Sequence, residues 1–532
     1  MSSFAVRHCW VLWIVFAASA QAQNWPQGSG PHGNWRVEGE NPPTSWSAAT
    51  GDNIAWRTTL PESGQGTVIA WGDRLFVTSN VPWKEDDRSD DNQKRSGPMG
   101  TDVVGYCLDA NSGKILWQVT LKGTRLKLYA GPFSDSTAPS PITDGKHVWF
   151  YNVSGMISCC DFDGNEVWTH SWTPRGIMAN RQFEPILVRD VILNVEVLDK
   201  STVIDQRSLV DNDMVRQLKS EHGNRNYFTF IHAYDKLTGK LKWISEASTS
   251  THSASCLGST KDGELALLHG RGGGHHPIET PKGLSLTSLA PGREGKTLWN
   301  YELNTGSEYT HQWTEDYATW WVKDHHVVLD CATGKQLRKQ PLNTSVSIRA
   351  YDATKGKYVN GDNTIKLNGK VTTHYSNLIV GDYHYFRTFS PFMVGRVHLE
   401  TGKTEYLQVP VQVLRESGND EEVRWQKSLD KNDTRNSRGI DVGIADKRSK
   451  GNGWGHVSSA PPIAVGNILY IPTMIGTVYV IDTSAEKLHE NALLSVSDLG
   501  PAGKTWTLSS FSYANGRLYH RTMKEVLCIG AH

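Results

Sequence analysis

The chain carries no excess charge of either sign, because 55 lysine and arginine residues balance 55 aspartate and glutamate residues. A protein without net charge has no long-range field that would gather nucleic acid or anionic lipid at its surface. After residue 22 the sequence also lacks any run of about 18 consecutive apolar residues, the length that a membrane-spanning helix needs. The sequence therefore predicts neither a nucleic-acid partner nor a membrane span.

Cysteine motifs for metal and haem are missing as well. None of the seven cysteines belongs to a CxxC, a CxxCH or a Cys/His spacing of the zinc type, so neither structural zinc nor attached haem is indicated. The adjacent Cys159 and Cys160 lie within an apparent strand, where neighbouring side chains point to opposite faces. We expect them to be ordinary strand cysteines.

Residues 1–22 are typical of a secretory signal. Arg7 and His8 form a short polar start, residues 9–18 are apolar but too few to span a bilayer, and residues 20–22 (Ala-Gln-Ala) supply a small-x-small cleavage pattern. We predict export to the periplasm or the exterior, with a single mature domain at residues 23–532.

With 532 residues, the chain exceeds the roughly 250–300 at which one hydrophobic core stops growing, so it is either several domains or a repeat array. A turn phrase decides for the array: an acidic residue, a short gap, glycine, often lysine, and then tryptophan. Clear copies of the phrase or its second half occupy residues 109–117, 161–168, 235–243 and 295–299, and decayed copies follow at Gly334, Gly402 and Ala485. The phrase describes a hairpin turn followed by a strand with an aromatic side chain at a fixed offset.

A second phrase, a Gly or Asp turn that opens an apolar strand, occurs eight times. It occupies residues 72–77, 144–149, 189–193, 262–267, 316–320, 381–386, 466–471 and 515–519. Eight such strands predict an all-β fold, an eight-bladed β-propeller of four-stranded antiparallel blades. The surplus length falls in polar insertions at 80–104, 199–226 and 415–453, which are either solvated loops or segments that fold over the propeller mouth.

The two ends of the chain predict how the ring closes. The last copy of the repeat stops after Cys528 without a fourth strand, whereas residues 53–56 (Asn-Ile-Ala-Trp) resemble a fourth strand that lacks its first three. An N-terminal strand that completes the last blade would remove an exposed sheet edge. We therefore expect residues 53–57 to pair within the sheet that contains residues 518–526.

Together these phrases resemble the pyrroloquinoline-quinone-like repeat of quinoprotein alcohol dehydrogenases, and the resemblance covers nearly all of the mature chain. In that family the repeated tryptophan packs between neighbouring blades, which implies structural inter-blade roles for Trp56, Trp117, Trp168, Trp243 and Trp299. The opening Trp25-Pro26-Gln27-Gly28 is similar to exported relatives that carry the repeat without a demonstrated quinone.

The resemblance raises pyrroloquinoline quinone with Ca²⁺ as a possible cofactor. A quinone dehydrogenase of this family needs Ca²⁺ held by carboxylate and amide oxygens, an aspartate base and an aromatic floor. No segment of this chain matches those site motifs residue by residue, so the sequence does not support that cofactor.

Histidine recurs at the start of four successive blades, at His252, His311, His374 and His456. Equivalent positions in a propeller converge at one mouth of the central channel. Converging imidazoles bind a transition metal or exchange protons near neutral pH, and Arg271 in a nearby glycine-rich segment would attract an anionic group. The alternative is that each histidine merely hydrogen-bonds a neighbouring loop.

These observations favour an exported propeller that acts as a binding or scaffold module, with a protein or carbohydrate ligand at the propeller face. In architecture it resembles the propeller lipoprotein that assists outer-membrane β-barrel assembly. One alternative is a histidine-centred, metal-assisted lyase or hydrolase that acts on acidic polysaccharide. A second alternative is a quinone-dependent dehydrogenase.

Overall fold

We analysed a computed structural model of the chain. It describes residues 24–82, 99–124, 135, 137–172, 183–199, 227–250, 253–273, 279–303, 310–367, 372–388, 391–416, 418, 420–429, 432–437, 439 and 460–530. For a few of these the backbone alone is described, namely 82, 99–101, 197–199, 227–228, 273, 279–281 and 372–374.

The described residues form eight sheets arranged as the blades of a propeller, which confirms the predicted fold. Two strands precede the first blade, β1 (Arg36–Val37) and β2 (Ile54–Thr59). Blade 1 contains β3 (Ile69–Trp71), β4 (Arg74–Pro82), β5 (Met99–Asp109) and β6 (Ile115–Leu121). Blade 2 contains β7 (Ile142–Thr143), β8 (His147–Asn152), β9 (Met156–Asp161) and β10 (Glu166–Ser171). Blade 3 contains β11 (Ile186–Val188), β12 (Val191–Asp199), β13 (Tyr227–Asp235) and β14 (Leu241–Ile244).

The second half of the ring is less regular. Blade 4 contains β15 (Cys256–Ser259), β16 (Leu265–Gly273), β17 (Glu279–Ser288) and β18 (Thr297–Leu303). Blade 5 contains β19 (Tyr317–Val322), β20 (His325–Asp330) and β21 (Gln336–Pro341). Blade 6 follows an added hairpin, β22 (Ser347–Asp352) and β23 (Lys357–Asn360), and contains β24 (Thr372–Val380), β25 (Tyr383–Thr388), β26 (Met393–His398) and β27 (Thr404–Gln408). A second hairpin, β28 (Gln412–Leu414) and β29 (Glu422–Arg424), comes next.

Two blades complete the ring. Blade 7 contains β30 (Ile463–Val465), β31 (Ile468–Pro472), β32 (Thr477–Asp482) and β33 (Leu493–Asp498), with a short 3-10 helix at Glu490–Ala492. Blade 8 contains β34 (Ser512–Ala514), β35 (Arg517–Arg521) and β36 (Glu525–Ile529). Among the described residues, no helix has the length and apolar character required to cross a membrane.

The recurring turn phrase owes its residue types to hydrogen bonding. In blade 1, Asp109 Oδ1 accepts bonds from the backbone N–H groups of Asn111 (3.1 Å) and Ser112 (2.8 Å). Gly113 then adopts φ +71°, a left-handed conformation that favours glycine. The carboxylate and the glycine together reverse the chain between the third and fourth strands, so the phrase marks the same turn in every regular blade.

The ring closes as the sequence predicted. Strand β2 pairs antiparallel with β36, with Trp56 opposite Cys528 and Thr58 opposite Val526, and so becomes the fourth strand of blade 8. The inner strand β3 of blade 1 lies beside β34 of blade 8 on one side and β7 of blade 2 on the other. The sheet edge that the last blade would otherwise expose is therefore paired with the start of the chain.

Three sheets depart from four strands. In blade 5 the innermost position is reduced to one bridge, between Trp313 and Ala318. In blade 6, β22 adds in parallel outside β27, with Ser347 opposite Glu405. In blade 7, β1 adds in parallel inside β30. The sequence analysis did not predict the β22–β23 hairpin or the pairing of β1.

The adjacent Cys159 and Cys160 lie in β9 and are both free and buried. Their partners in β8 are Trp149 and Val148. They are ordinary strand cysteines, as expected.

Two glycines of blade 1 offer a matched test of the ring closure. A Cβ at Gly113 would lie 2.5 Å from Trp56 Cε3 of the closing strand, whereas a Cβ at Gly72 would meet nothing within 4 Å. Both have positive φ, +71° and +57°, so each alanine carries about 1–2 kcal/mol of backbone strain. We expect Gly113→Ala to cost about 1–3 kcal/mol more than Gly72→Ala, because it also displaces the Trp56 ring.

The measurement is the free energy of unfolding of both variants in urea. Equal losses in the two variants would mean that Trp56 does not brace blade 1.

Candidate functional site

The strand order assigns each connection to one of two faces of the propeller. Hairpin turns that join the first strand to the second, or the third to the fourth, lie on one face, which we name the turn face. Connections from the second strand to the third, and from each blade to the next, lie on the other, the loop face. Insertions 80–104 and 199–226 join the second and third strands of blades 1 and 3, and insertion 415–453 joins blades 6 and 7. The described residues that flank all three insertions therefore lie on the loop face.

The N-terminal residues 24–37, here named the channel segment, contact the inner strands of several blades. Trp25 forms an antiparallel bridge with Ala70 of blade 1, and β1 pairs with β30 of blade 7. Further hydrogen bonds run from Thr143 N to Pro26 O (2.8 Å), from Leu187 N to Gln27 Oε1 (2.7 Å) and from Leu257 N to Gly33 O (2.9 Å). Because the first strand of each blade lines the central channel, a segment that reaches five inner strands lies inside it.

The channel segment stabilises the centre of the propeller by pairing exposed strand edges. An inner strand presents unpaired N–H and C=O groups to the channel, and burying them unpaired would be costly. Trp25 and Trp35 are both fully buried there. Ala70 and Thr143 lie next to the hairpin turns of their blades, and Asn24 Oδ1 accepts a bond from Gly72 N in such a turn (2.8 Å). The start of the segment therefore lies on the turn-face side of the channel.

A series of hydrogen-bonded residues, most of them polar, lies where the inner strands begin, on the loop-face side of the channel. Thr67 Oγ1 accepts a bond from Ser510 N (3.3 Å), and Thr67 N donates to Ser140 Oγ (2.9 Å). Ser140 N in turn donates to Glu184 Oε2 (3.2 Å), and Ser510 Oγ donates to Pro461 O (2.7 Å). These bonds link blades 7, 8, 1, 2 and 3 in succession. We name the five bonded residues the inner ring; they are Pro461, Ser510, Thr67, Ser140 and Glu184.

Glu184 is the one carboxyl in the inner ring. A Cβ on Gly28 of the channel segment would lie 2.2 Å from Glu184 Oε2 and 2.7 Å from Ser140 Oγ, so a larger residue there would displace the carboxyl. Although part of the residue remains exposed, burial of the carboxyl raises its pKa from 4.5 to about 7, and the hydrogen bonds from Ser140 oppose that shift. Sequence reasoning missed Glu184, whose only signal is that it occupies the position of Thr67 and Ser140 in its blade.

Only one of the four predicted channel histidines has a described side chain. His311 is buried, and its ring stacks on Trp320 with centroids 5.0 Å apart and planes 7° apart. Burial lowers the pKa of His311 from 6.5 to about 3, so its imidazole is neutral at physiological pH. His374 lies in β24, where only the backbone is described, and His252 and His456 lie outside the described residues. The convergence of the four side chains stays a prediction.

Arg271 lies in a strand and not in the flexible loop that the sequence suggested. It belongs to β16, and its side chain is buried. Two residues before it, His269 Nε2 lies 2.8 Å from Thr287 Oγ1 of β17, and burial lowers the pKa of His269 to about 3. The end of β16 is therefore held by packing and hydrogen bonds within its own blade.

A pair of histidines that the sequence analysis did not identify lies between blades 5 and 6. His326 Nε2 lies 3.0 Å from His384 Nδ1, and His384 Nε2 lies 3.0 Å from Asn377 Oδ1. Because the amide oxygen only accepts, His384 donates to Asn377 and accepts from His326. Burial lowers the pKa of both rings, and both pack against Trp321. The pair is a neutral hydrogen-bonded bridge between blades.

The five repeat tryptophans lie against the next blade in the ring. Each indole lies over the glycine of the neighbouring turn phrase, where a Cβ would lie within 3 Å of the ring; these glycines are Gly113, Gly164, Gly239, Gly295 and Gly334. Four indole N–H groups also donate to backbone carbonyls of those turns, from Trp56 to Ala110 (3.0 Å), Trp117 to Phe162 (2.9 Å), Trp168 to Lys236 (2.9 Å) and Trp299 to Cys331 (2.7 Å). Trp243 lies over Gly295.

Arginines fill the corresponding contacts where the tryptophan of the repeat has decayed. Arg338 of blade 5 donates to the carbonyl of Leu399 in blade 6 (2.6 Å). Arg396 of blade 6 donates to Ala485 O (2.9 Å) in blade 7 and pairs with Glu405 (2.6 Å). Blades 5 and 6, which lack the tryptophan, are therefore each joined to the next blade through a side-chain donor and a turn carbonyl.

Aromatic side chains from the two added hairpins meet on the loop face; we name Tyr351, Tyr358 and Trp425 the rim cluster. The rings of Tyr351 and Trp425 stack with centroids 3.9 Å apart and planes 1° apart, and Tyr358 meets Trp425 edge-on at 5.7 Å. All three side chains are half-buried. Gln408 at the end of β27 anchors the hairpin, since its Oε1 accepts from Tyr351 N (3.0 Å).

The described part of the third insertion packs across the loop face. Arg415 pairs with Asp498 of blade 7 (3.1 Å), and Asp433 N donates to Gly503 O between blades 7 and 8 (2.9 Å). Ser437 N donates to Glu62, which precedes blade 1 (3.2 Å). Asn436 is buried. These residues are thus docked on three blades, which agrees with the alternative that the insertion folds over the propeller.

The described residues do not supply the ligand set of a calcium-bound quinone. Ca²⁺ takes six to eight oxygen ligands, mainly carboxylates, amides and carbonyls. The inner ring offers a single carboxyl, Glu184, which is already tied to Ser140. Within the described part of the chain, no group of three or more His, Cys, Asp or Glu side chains is placed to hold a metal ion.

Comparison with known proteins identifies the repeat. Residues 100–316 match the family model described as outer membrane protein assembly factor BamB. No curated protein matches the chain in sequence.

Solved structures with a similar fold share little sequence with the chain. BamB from Moraxella catarrhalis is 12% identical, with a TM-score of 0.43 over 89% of this chain and 97% of that one. The quinohemoprotein alcohol dehydrogenase from Comamonas testosteroni is 12% identical, with a TM-score of 0.47 over 96% of this chain and 81% of that one. A europium-containing methanol dehydrogenase is 12% identical, with a TM-score of 0.45 over 96% and 98% of the two chains.

His311 supplies a prediction for acid stability. Its pKa is depressed in the folded protein, so it contributes stability that is present above pH 6.5 and is lost as the pH falls toward 3. Each such histidine costs about 1.4 kcal/mol per pH unit within that window. We expect His311→Gln to reduce the loss of unfolding free energy between pH 6.5 and 4.5 by about 2–3 kcal/mol.

Urea titration of both proteins at the two pH values measures this difference, in which any constant effect of the substitution cancels. The exposed His32 provides the control. In His32→Gln, the loss of unfolding free energy between the two pH values should equal that of the parent protein. An unchanged acid loss in His311→Gln would contradict the burial argument.

Proposed function

Because the chain is a β-propeller built from the pyrroloquinoline-quinone-like repeat, we propose that it is an exported binding or scaffold module. Its loop face receives a protein partner. The protein acts in the periplasm or at the exterior, to which residues 1–22 direct it.

The observation that carries this proposal is the asymmetry between the two faces. The turn face consists of tight hairpins, and the channel segment fills the channel beneath it. The described residues that flank all three insertions lie on the loop face, and the described part of the third insertion is docked across blades 7, 8 and 1 through Arg415, Asp433 and Ser437. Binding residues concentrate on loops that a rigid scaffold positions, so the loop face is the surface built for recognition.

The rim cluster adds half-buried aromatic area to that face, and Val423 in β29 is 38% exposed. Aromatic side chains are enriched where proteins bind each other, because they bury a large area with few rotatable bonds. The family model that matches residues 100–316 is named for a protein-assembly factor, which supports a protein over a carbohydrate as the partner.

The histidine-centred alternative is less favoured by the described residues. Proton exchange near neutral pH needs imidazoles that titrate there, whereas burial holds the pKa of His311 at about 3. A binding role requires no titrating group.

Site-specific photocrosslinking in the producing cell tests the proposal. A photoreactive residue at Val423 on the loop face should yield a covalent adduct of one discrete mass, which mass spectrometry identifies as a protein partner. The same residue at Leu237, in a turn-face hairpin of blade 3 and 54% exposed, is the matched control. Adducts from Leu237 but not Val423, or none from either, would contradict the assignment of the loop face.

The position of the mature N-terminus tests the proposed export. We expect the protein purified from cells to begin at Gln23, because the Ala-Gln-Ala pattern at residues 20–22 directs cleavage after Ala22. N-terminal sequencing of the periplasmic and culture fractions measures this. A protein that keeps Met1 in the cytoplasmic fraction would contradict export.

A further inference from the structure

The channel segment contacts blades 2 and 3 at the carboxyl of Glu184. Pro26 and Gln27 bond to the inner strands of those blades, through Thr143 N and Leu187 N. Gly28 follows, and the space where its side chain would begin is filled by Glu184 Oε2. The backbone of the segment thus packs closely against the carboxyl.

Among the described residues, the carboxyl of Glu184 has hydrogen-bond donors but no cation. Ser140 donates from its backbone N–H (3.2 Å) and from its hydroxyl. Burial and these two bonds are the contributions to the pKa of Glu184, and no charged side chain from the channel segment, blade 2 or blade 3 takes part among the described residues. A carboxylate in that position is therefore desolvated without a counter-charge, whereas a protonated carboxyl is not penalised.

We propose that the seating of the channel segment on blades 2 and 3 is controlled by the protonation of Glu184. The segment is held while the carboxyl is protonated and is released locally when the carboxyl ionises and recruits water. The N-terminal part of the protein is thus a pH-sensitive closure of the propeller channel. This inference concerns the central channel and does not depend on the identity of the partner at the loop face.

Proton linkage gives the direction in which seating of the channel segment depends on pH. The pKa of Glu184 is raised from 4.5 to about 7 in the seated state, so seating is favoured by the protonated form and is progressively lost as the pH rises through 7. When the segment is released, the carboxyl returns toward its ordinary pKa in water. With these two values, the equilibrium constant for release rises about tenfold between pH 6 and pH 8.5.

Hydrogen exchange on the full mature chain tests the proposal. The measured quantity is the protection of the peptides that contain residues 24–37, corrected for the intrinsic dependence of amide exchange on pH. We expect protection in the parent protein to fall about tenfold from pH 6 to pH 8.5. In Glu184→Gln, whose carboxamide does not ionise, protection should be equal at the two pH values.

Glu62→Gln is the matched control, because Glu62 is also a buried carboxyl but bonds to Ser63 and Ser437. It should keep the pH dependence of the parent protein. Protection that does not change with pH in the parent protein, or that changes equally in Glu184→Gln, would overturn the proposal.

A spectroscopic titration keeps the test decisive if Glu184→Gln fails to fold. Carbon-13 NMR of the parent protein, with glutamate side chains labelled, follows the ionisation of Glu184 directly. A midpoint near 7 that coincides with the loss of protection supports the coupling, and a midpoint near 4.5 overturns it.

Discussion

The propeller depends on one repeated contact, an indole from the fourth strand of a blade laid over the turn glycine of the next blade. The indole ring covers a backbone that has no side chain, and in four of the five cases its N–H group donates to a carbonyl of the same turn. Those four contacts combine apolar burial with a hydrogen bond that orients the ring. The neighbouring blade is therefore fixed in angle as well as in distance.

Much of the fold was predictable because that contact leaves a trace in sequence. The indole needs a glycine in the facing turn, and the turn needs an aspartate to accept its N–H groups, so the phrase repeats wherever the contact does. Trp56 revealed the closing strand in the same way. The added hairpin β22–β23 was missed even though Asp352 Oδ1 accepts from Thr354 N (3.0 Å) and Lys355 N (3.1 Å) in a similar turn. The pairing of β22 outside β27 is parallel and joins distant residues, and no local pattern records it.

The candidate site was less predictable for a physical reason. Histidines at the start of each blade were read from their position along the chain, but the direction of a side chain depends on the register of its strand. The inner ring includes Thr67, Ser140 and Glu184, none of which the sequence analysis identified as a site. Glu184 has meaning only beside Gly28, which lies more than a hundred residues before it and in no repeat. Arg338 and Arg396 also donate to turn carbonyls of the next blade, as the indoles do elsewhere. A search for the tryptophan of the repeat does not find them.

The pairing of β2 with β36 also constrains the order in which the molecule folds. A chain synthesised from its N-terminus delivers β1 and β2 first, yet their partners β30 and β36 arrive last. Contacts between such distant residues carry a large loop-closure entropy and slow folding. The first strands therefore wait as unpaired edges until synthesis ends, and a chain truncated before residue 525 has no means of completing the ring.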